Sequence, residues 1–177
     1  MKKILLLFII CSTSVSAQKL ALDTQSSMIT YKAKHMAHAW EGSHQKLQGL
    51  AVMDSVGLQQ IAVKGAVRDF DSKNANRDSH ALEVLEALQF PEVRFFSSEI
   101  QRLDSNQLVF SGTLFFHGIS LAKSIQAQYQ KTDNGFRLSG TFDFQATDFE
   151  VDLPSFLLVK INDRIEIDFD LNFLSRS

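Results

Sequence analysis

The strictest constraint on this chain is a hydrophobic period of two. Between positions 108 and 117, Leu108, Phe110, Gly112, Leu114 and Phe116 share one face, while Val109, Ser111, Thr113, Phe115 and His117 share the other. The pattern returns over 136–146, where Phe136, Leu138, Gly140, Phe142 and Phe144 oppose Arg137, Ser139, Thr141, Asp143 and Gln145. It is plainest near the end, with Ile165, Ile167, Phe169, Leu171 and Phe173 set against Arg164, Glu166, Asp168, Asp170 and Asn172. Successive side chains of a strand point to opposite faces, so these runs are strands with one dry side and one wet side.

Weaker runs of the same kind occupy 28–35, 47–53, 61–67, 93–97 and 123–129. The pattern therefore predicts about eight strands, and connections as short as 104–106 and 133–135 leave room only for hairpins. Half-dry strands must cover both an apolar face and two open edges. Closing the sheet into an antiparallel barrel does both, whereas a two-sheet sandwich needs longer connections and less evenly spaced turns. One short helix interrupts the strands: Asp78 or Ser79 is expected to cap it, Ala81, Val84, Leu85 and Leu88 follow the 3.6 period, and Phe90-Pro91 ends it.

At the N-terminus, Met1-Lys2-Lys3 precedes a short apolar run from Ile4 to Ile10, and Val15-Ser16-Ala17 offers the small residues a signal peptidase reads. The run is too short to span a bilayer, so residues 1–17 are expected to be a removable export signal rather than an anchor. A lipidated Cys11 fits less well, because the bulky Ile10 stands before it. Export would place residues 18–177 in the periplasm or outside the cell as one domain. That length can bury about two-thirds of its unfolded surface in a single core. The only cysteine departs with the leader, so no disulfide supports the fold. The remainder is slightly more acidic than the −2 of the whole chain and has no basic cluster, which argues against nucleic acid or an anionic membrane surface as partner. Nothing in the sequence decides whether two barrels pair.

A barrel of about eight strands either fills with its own side chains or holds one small ligand. Fifteen phenylalanines, against two tyrosines and one tryptophan, favour an apolar lining poor in hydrogen bonds. Gly49, Gly65, Gly112 and Gly140 fall within the strand runs, where an inward glycine is expected to leave room. The lumen candidates are Tyr31 from the first run, Val93 and Phe95, then Phe110, Leu114 and Phe116, then Tyr129, Phe142 and Phe144, and finally Ile165, Ile167 and Phe169. Tyr31, Trp40 and Tyr129 combine an apolar body with a polar tip and suit a ligand's head group. Leu157 and Leu158, beside Pro154, are placed to cap the barrel mouth or simply to anchor a loop. Such a lumen suits a long apolar lipid, since each buried methylene contributes about 0.8 kcal/mol. The competing expectations are an exported structural or stress-protective barrel with a filled core, and a lipid-acting enzyme.

Reactive constellations are sparse. His35 and His38 could share a metal ion only if the chain turned between them, and neither cysteine nor a tight pair of histidines supports a metal site. The run Asp69-Phe70-Asp71-Ser72-Lys73 imitates a calcium loop but puts Lys73, Asn74 and His80 where ligands and the turn glycine belong. Arg77 and Asp78 are expected to tie the helix to the barrel together with Asp71. His80 and His117 read as structural hydrogen-bonders, and the acidic pairs among Glu166, Asp168 and Asp170 as a solvated face. Nucleophile elbows, phosphate-binding glycine loops and Cys-His pairs are absent, so neither catalysis nor a cofactor is expected.

Four segments in this order resemble the YceI-like family of lipid- and polyisoprenoid-binding proteins: the first strand Ile29 to His35, the polar loop from Asp71 to His80, Phe90-Pro91-Glu92-Val93-Arg94-Phe95, and Gly112 to Ile119. The resemblance spans essentially all of the chain after the leader. It implies an eight-stranded lipocalin-like barrel with an isoprenoid chain, such as a quinone tail, in its lumen. The chain departs from the family pattern in the aromatic, histidine-rich stretch from Met36 to Gly42, at Lys123, where an apolar residue is usual, and over Val151 to Leu158.

Overall fold

The computed structural model describes residues 17–36, 38–156 and 159–175. The expected leader lies outside them except for Ala17, and so do Leu157 and Leu158. In chain order the strands are β1 (Gln18–Leu22), β2 (Met28–His35), β3 (His38–His44), β4 (Gln48–Met53), β5 (Leu58–Ala66), β6 (Glu92–Arg102), β7 (Gln107–Phe116), β8 (Ile119–Thr132), β9 (Gly135–Gln145), β10 (Ser155–Phe156), β11 (Val159–Lys160) and β12 (Arg164–Ser175). Among the described residues a single α-helix, α1 (Ala75–Val84), sits between β5 and β6.

The sheet closes on itself as eight antiparallel staves. β4 to β9 follow one another from β1, β12 lies beside β9, and β12 returns to β1. The first two staves are each broken in two. Near its end β12 pairs β1, with Phe173 opposite Leu22, and earlier it pairs β2, with Glu166 opposite Lys32. β2 in turn pairs β3 and β1 pairs β4, so the four short strands form one long hairpin. The break between β1 and β2 is tied down by β12. Asn172 donates its N–H to the buried Ser27 hydroxyl at 2.9 Å, and its carbonyl accepts from Asp23 N at 2.8 Å.

Where the period-two runs ended short of the real strands, local irregularity explains the difference. β6 was expected only to Ser97, because a bulge between Ser97 and Glu99 resets the alternation. The Ser97 hydroxyl fills the gap, donating to the Ser111 carbonyl at 2.8 Å and accepting from Glu99 N at 3.3 Å. β1 and β3 carry no readable period of two, the first because it is short and the second because it is polar. The two-residue hairpin of β10 and β11 is too small to carry a period.

The helix also begins earlier than expected. Asn74, not Asp78 or Ser79, is the N-cap, its carboxamide oxygen accepting from Arg77 N at 3.1 Å. After Ala75 the first turn is Asn76, Arg77 and Asp78, so it gives no apolar period. Leu88, counted into the helical stripe, lies beyond the helix end and is fully exposed. Asp71 joins neither Arg77 nor Asp78 in a hydrogen bond. Its carboxylate accepts from Lys73 N at 2.7 Å and pairs with the Lys73 ammonium, while Asp78 holds the loop by accepting from Ser72 N at 3.1 Å.

Inside, the packing differs from end to end. Along β12 the inward residues Phe173, Leu171 and Phe169 are 0, 6 and 9% exposed, and Ile167 and Ile165 beyond them are only half-buried. β9 repeats the gradient, from fully buried Phe136 and Leu138 to half-buried Phe142 and Phe144. At the tight end Phe136 and Phe173 stack with centroids 5.1 Å apart, and Leu20, Ala51, Leu108 and Ala127 pack round them. At the other end a second cluster of Leu114, Phe116, Phe149, Val151 and Leu153 lines the wall below α1.

Candidate functional site

Half-burial of inward apolar side chains means that they face a void rather than one another. The void is a cavity of about 510 Å3 that runs from a floor at Phe110, Ile125 and Leu138 to a rim formed by α1 and by Trp40, Phe70 and Pro154. This volume is in the range of pockets that bind small molecules. The helix is a cover rather than a core element. Ala81, Leu82, Val84 and Leu85 face the cavity, yet none of the helix residues is buried.

The structure brings eleven of the twelve lumen candidates onto this wall. β2 contributes Tyr31, β6 Val93 and Phe95, β7 Phe110, Leu114 and Phe116, β9 Phe142 and Phe144, and β12 Ile165, Ile167 and Phe169. Tyr129 is the exception. Its place on β8 is at the tight end, where its ring packs 5.6 Å from Phe136 and lies beneath the Arg102 guanidinium at 5.0 Å, so it is unavailable as a head-group contact. Trp40, by contrast, stands on the rim. Leu157 and Leu158, the other expected cap, lie outside the described residues.

Gly112 and Gly140 do not make the void. A methyl group at Gly112 would meet the Phe96 carbonyl at 2.3 Å and the Phe95 ring at 2.7 Å, and one at Gly140 would meet the Gln126 carbonyl and the Phe169 ring, both at 2.8 Å. Both glycines admit the protein's own strands and rings, not a ligand.

One seam of the wall is loosely joined. β8 and β9 pair only from Gln128 to Thr132, while the rest of β8 pairs with β7 alone. Lys123, which interrupts the apolar inner face of β8, sends its ammonium across this seam to the Asp143 carbonyl. Its charge is thus satisfied at the wall and the lumen stays apolar.

Polar groups concentrate at the rim. Tyr31 packs across Gly42, its cross-strand partner, with its ring edge-on to Phe70 at 5.7 Å. Its hydroxyl lies against the Trp40 and Ser72 side chains. Burial pushes that hydroxyl above its usual pKa, the Asp78 carboxylate adds to the rise, and the Arg77 guanidinium opposes it. Arg77 itself lies over the Trp40 ring, 5.7 Å from its centroid. Below the helix, buried His117 joins three segments. Its Nδ1 is 2.8 Å from the Phe149 carbonyl, its Nε2 is 3.2 Å from the Glu86 carboxylate, and the Phe90 ring covers it at 4.4 Å. His117 is thus hydrogen-bonded to the Phe149 carbonyl, while its Nε2 lies beside the Glu86 carboxylate without a hydrogen bond.

The remaining histidines are dispersed. His44 is fully buried beside the Phe70 ring. Its Nδ1 accepts from Lys46 N at 3.0 Å, and burial lowers its pKa. His35 and His38 do face each other across the β2–β3 turn, but no group of three or more potential metal ligands forms among the described residues. The acidic face of β12 is spent on ion pairs, Lys32 with Glu166 and Asp168 and Arg137 with Asp170. Among the described residues no helix is long and apolar enough to cross a membrane.

Comparison with known proteins places this architecture. The model of the YceI-like domain matches residues 20–173. No curated protein sequence matches the chain. Among solved structures, BcnA of Burkholderia cenocepacia superposes with a TM-score of 0.77 at 18% identity, covering 85% of this chain and 98% of that one. A polyisoprenoid binding domain from Saccharophagus degradans, implicated in plant cell wall breakdown, gives 0.72 at 12% identity, covering 89% and 98%. The YCEI protein of Campylobacter jejuni gives 0.68 at 17% identity, covering 81% and 90%. At these identities the likeness is one of fold.

Proposed function

The chain belongs to the YceI-like domain family, and from that premise we propose that it is an exported, non-catalytic protein that holds a long apolar lipid, a polyisoprenoid or quinone tail, within the barrel. The observation that carries the proposal is the covered cavity of about 510 Å3 walled by half-buried Phe142, Phe144, Ile165 and Ile167. Such a wall gains by removing apolar ligand surface from water and asks for almost no polar recognition along the chain. The polyisoprenoid binding domain of Saccharophagus degradans, which shares the fold, supports the ligand class. The leader at 1–17 supports export. A structural barrel with a filled core is the weaker alternative, because it calls for no cavity at all.

The test is solvent extraction of the purified protein followed by mass spectrometry, with uptake of a polyprenol or quinone measured on the stripped protein. A co-purifying chain lipid, or saturable uptake at one site per barrel, is expected. Clean extracts together with no uptake would overturn the proposal.

A further inference from the structure

Resting on the carrier reading, we infer that the cavity mouth selects a chain that ends in an oxyanion, a carboxylate or phosphate monoester, and that Arg77 is the residue that reads it. Three cations border the cavity. Lys64 is spent on Glu92 at 3.3 Å, and Arg94 lies over the outer Phe115 ring at 4.1 Å. Arg77 differs from both. It forms no ion pair among the described residues, and its one side-chain hydrogen bond is a long 3.5 Å contact to the Ser72 carbonyl. Its carboxylate neighbour in sequence, Asp78, is turned to the Ser72 amide instead.

The guanidinium is nevertheless held in place. It lies over Trp40, which Tyr31 supports from the next strand, and its own backbone N–H is fixed by the Asn74 cap. A cation–π contact of this kind uses none of the guanidinium's N–H donors, and those donors match the paired oxygens of a carboxylate or phosphate. At the lip of an apolar tube the opposing charge is poorly screened, so a bound oxyanion gains more there than at an open surface. A chain lying on Phe142 and Ile167 would end in this cluster, since Tyr31, Trp40 and Arg77 line the same cavity.

Three probes that share one chain separate head group from tail: hexadecanoate, hexadecyl phosphate and hexadecanol, each displacing an apolar fluorophore from the purified protein. The two anions are expected to bind about tenfold or more tightly than the alcohol, equivalent to about 1.4 kcal/mol. Arg77→Gln is expected to bring all three within about twofold of one another, and Arg77→Lys to retain part of the preference. The tighter of the two anions identifies the head. Equal binding of acid, phosphate and alcohol by the wild-type protein overturns the inference and leaves the carrier reading standing, and it needs no variant to fold. A preference that survives Arg77→Gln also overturns it. Failure of all three to displace the fluorophore overturns the inference as well, and the carrier reading is then decided by polyprenol or quinone uptake.

Discussion

The two ends of the barrel are built from the same kinds of residue at the same spacing, yet one is solid and the other hollow. Phe136 and Phe142 stand six positions apart on the inner face of β9. The first is fully buried and stacked on Phe173, and the second is half-buried beside the void. The difference lies in what closes each end. At the solid end β8 and β9 join in a tight hairpin, and a methyl group at Gly135 would lie 1.9 Å from the Phe173 carbonyl, so the staves are drawn together on their contents. At the hollow end β8 and β9 part, and a ten-residue helix spans the opening, with Leu82 and Val84 resting on the second cluster while none of its residues is buried. Inward parity makes a wall; how tightly the staves converge decides whether the wall becomes a core.

The largest break in this comparison should come from truncating one phenylalanine at each end. Phe173→Ala is expected to cost about 3–5 kcal/mol, since its neighbours cannot collapse into the space. Phe142→Ala should cost about 1 kcal/mol, because much of its surface already faces the void. Urea unfolding of the two variants measures the difference, and equal costs would mean that the ends are packed alike.

Enlarging residues should sharpen the contrast from the other side. Ala127→Phe, at the solid end, is expected to cost about 1–3 kcal/mol through overpacking. Ile167→Phe, on the cavity wall, should be nearly neutral in stability and should weaken chain binding by occupying the site. Measuring stability and uptake on the same samples separates the two effects.

These contrasts also mark the limit of what the sequence discloses. The alternation in β7, β9 and β12 specifies strands, inner faces and closure into a barrel, because the cost of placing Asp168 or Arg137 inside is prohibitive. It does not separate Phe142 from Phe136, since both satisfy the same parity. The cover was half legible: Ala81, Val84 and Leu85 announce a helix, but the polar first turn hides its start and nothing local reveals that its apolar stripe meets a void. Tyr129 was misplaced for a related reason, as its height along the barrel is set by the register of β8 against β9. Trp40 was recognisable as an amphipathic side chain; its partnership with Arg77 depends on the β2–β3 hairpin folding back beside α1.

A smaller effect is expected with pH. His44 is held below its ordinary pKa by burial, so the unfolded chain binds its proton more readily than the folded one. Its contribution is intact above the unfolded value near 6.5, and stability falls as the pH drops from there towards the folded value, by at most about 1.4 kcal/mol per pH unit. His44→Gln should flatten that slope between pH 7 and pH 5 in thermal melts. An unchanged slope would assign the acid sensitivity to other groups.

The hollow end is tested most directly by a crystal structure of the protein soaked with a terminally brominated alkane. The account expects anomalous bromine density between Phe142, Ile167 and Leu114, with the chain reaching down towards Leu138 and the Phe136–Phe173 stack undisturbed. Bromine confined to the outer surface, with the rings of Phe142 and Phe169 closed over the space, would contradict it.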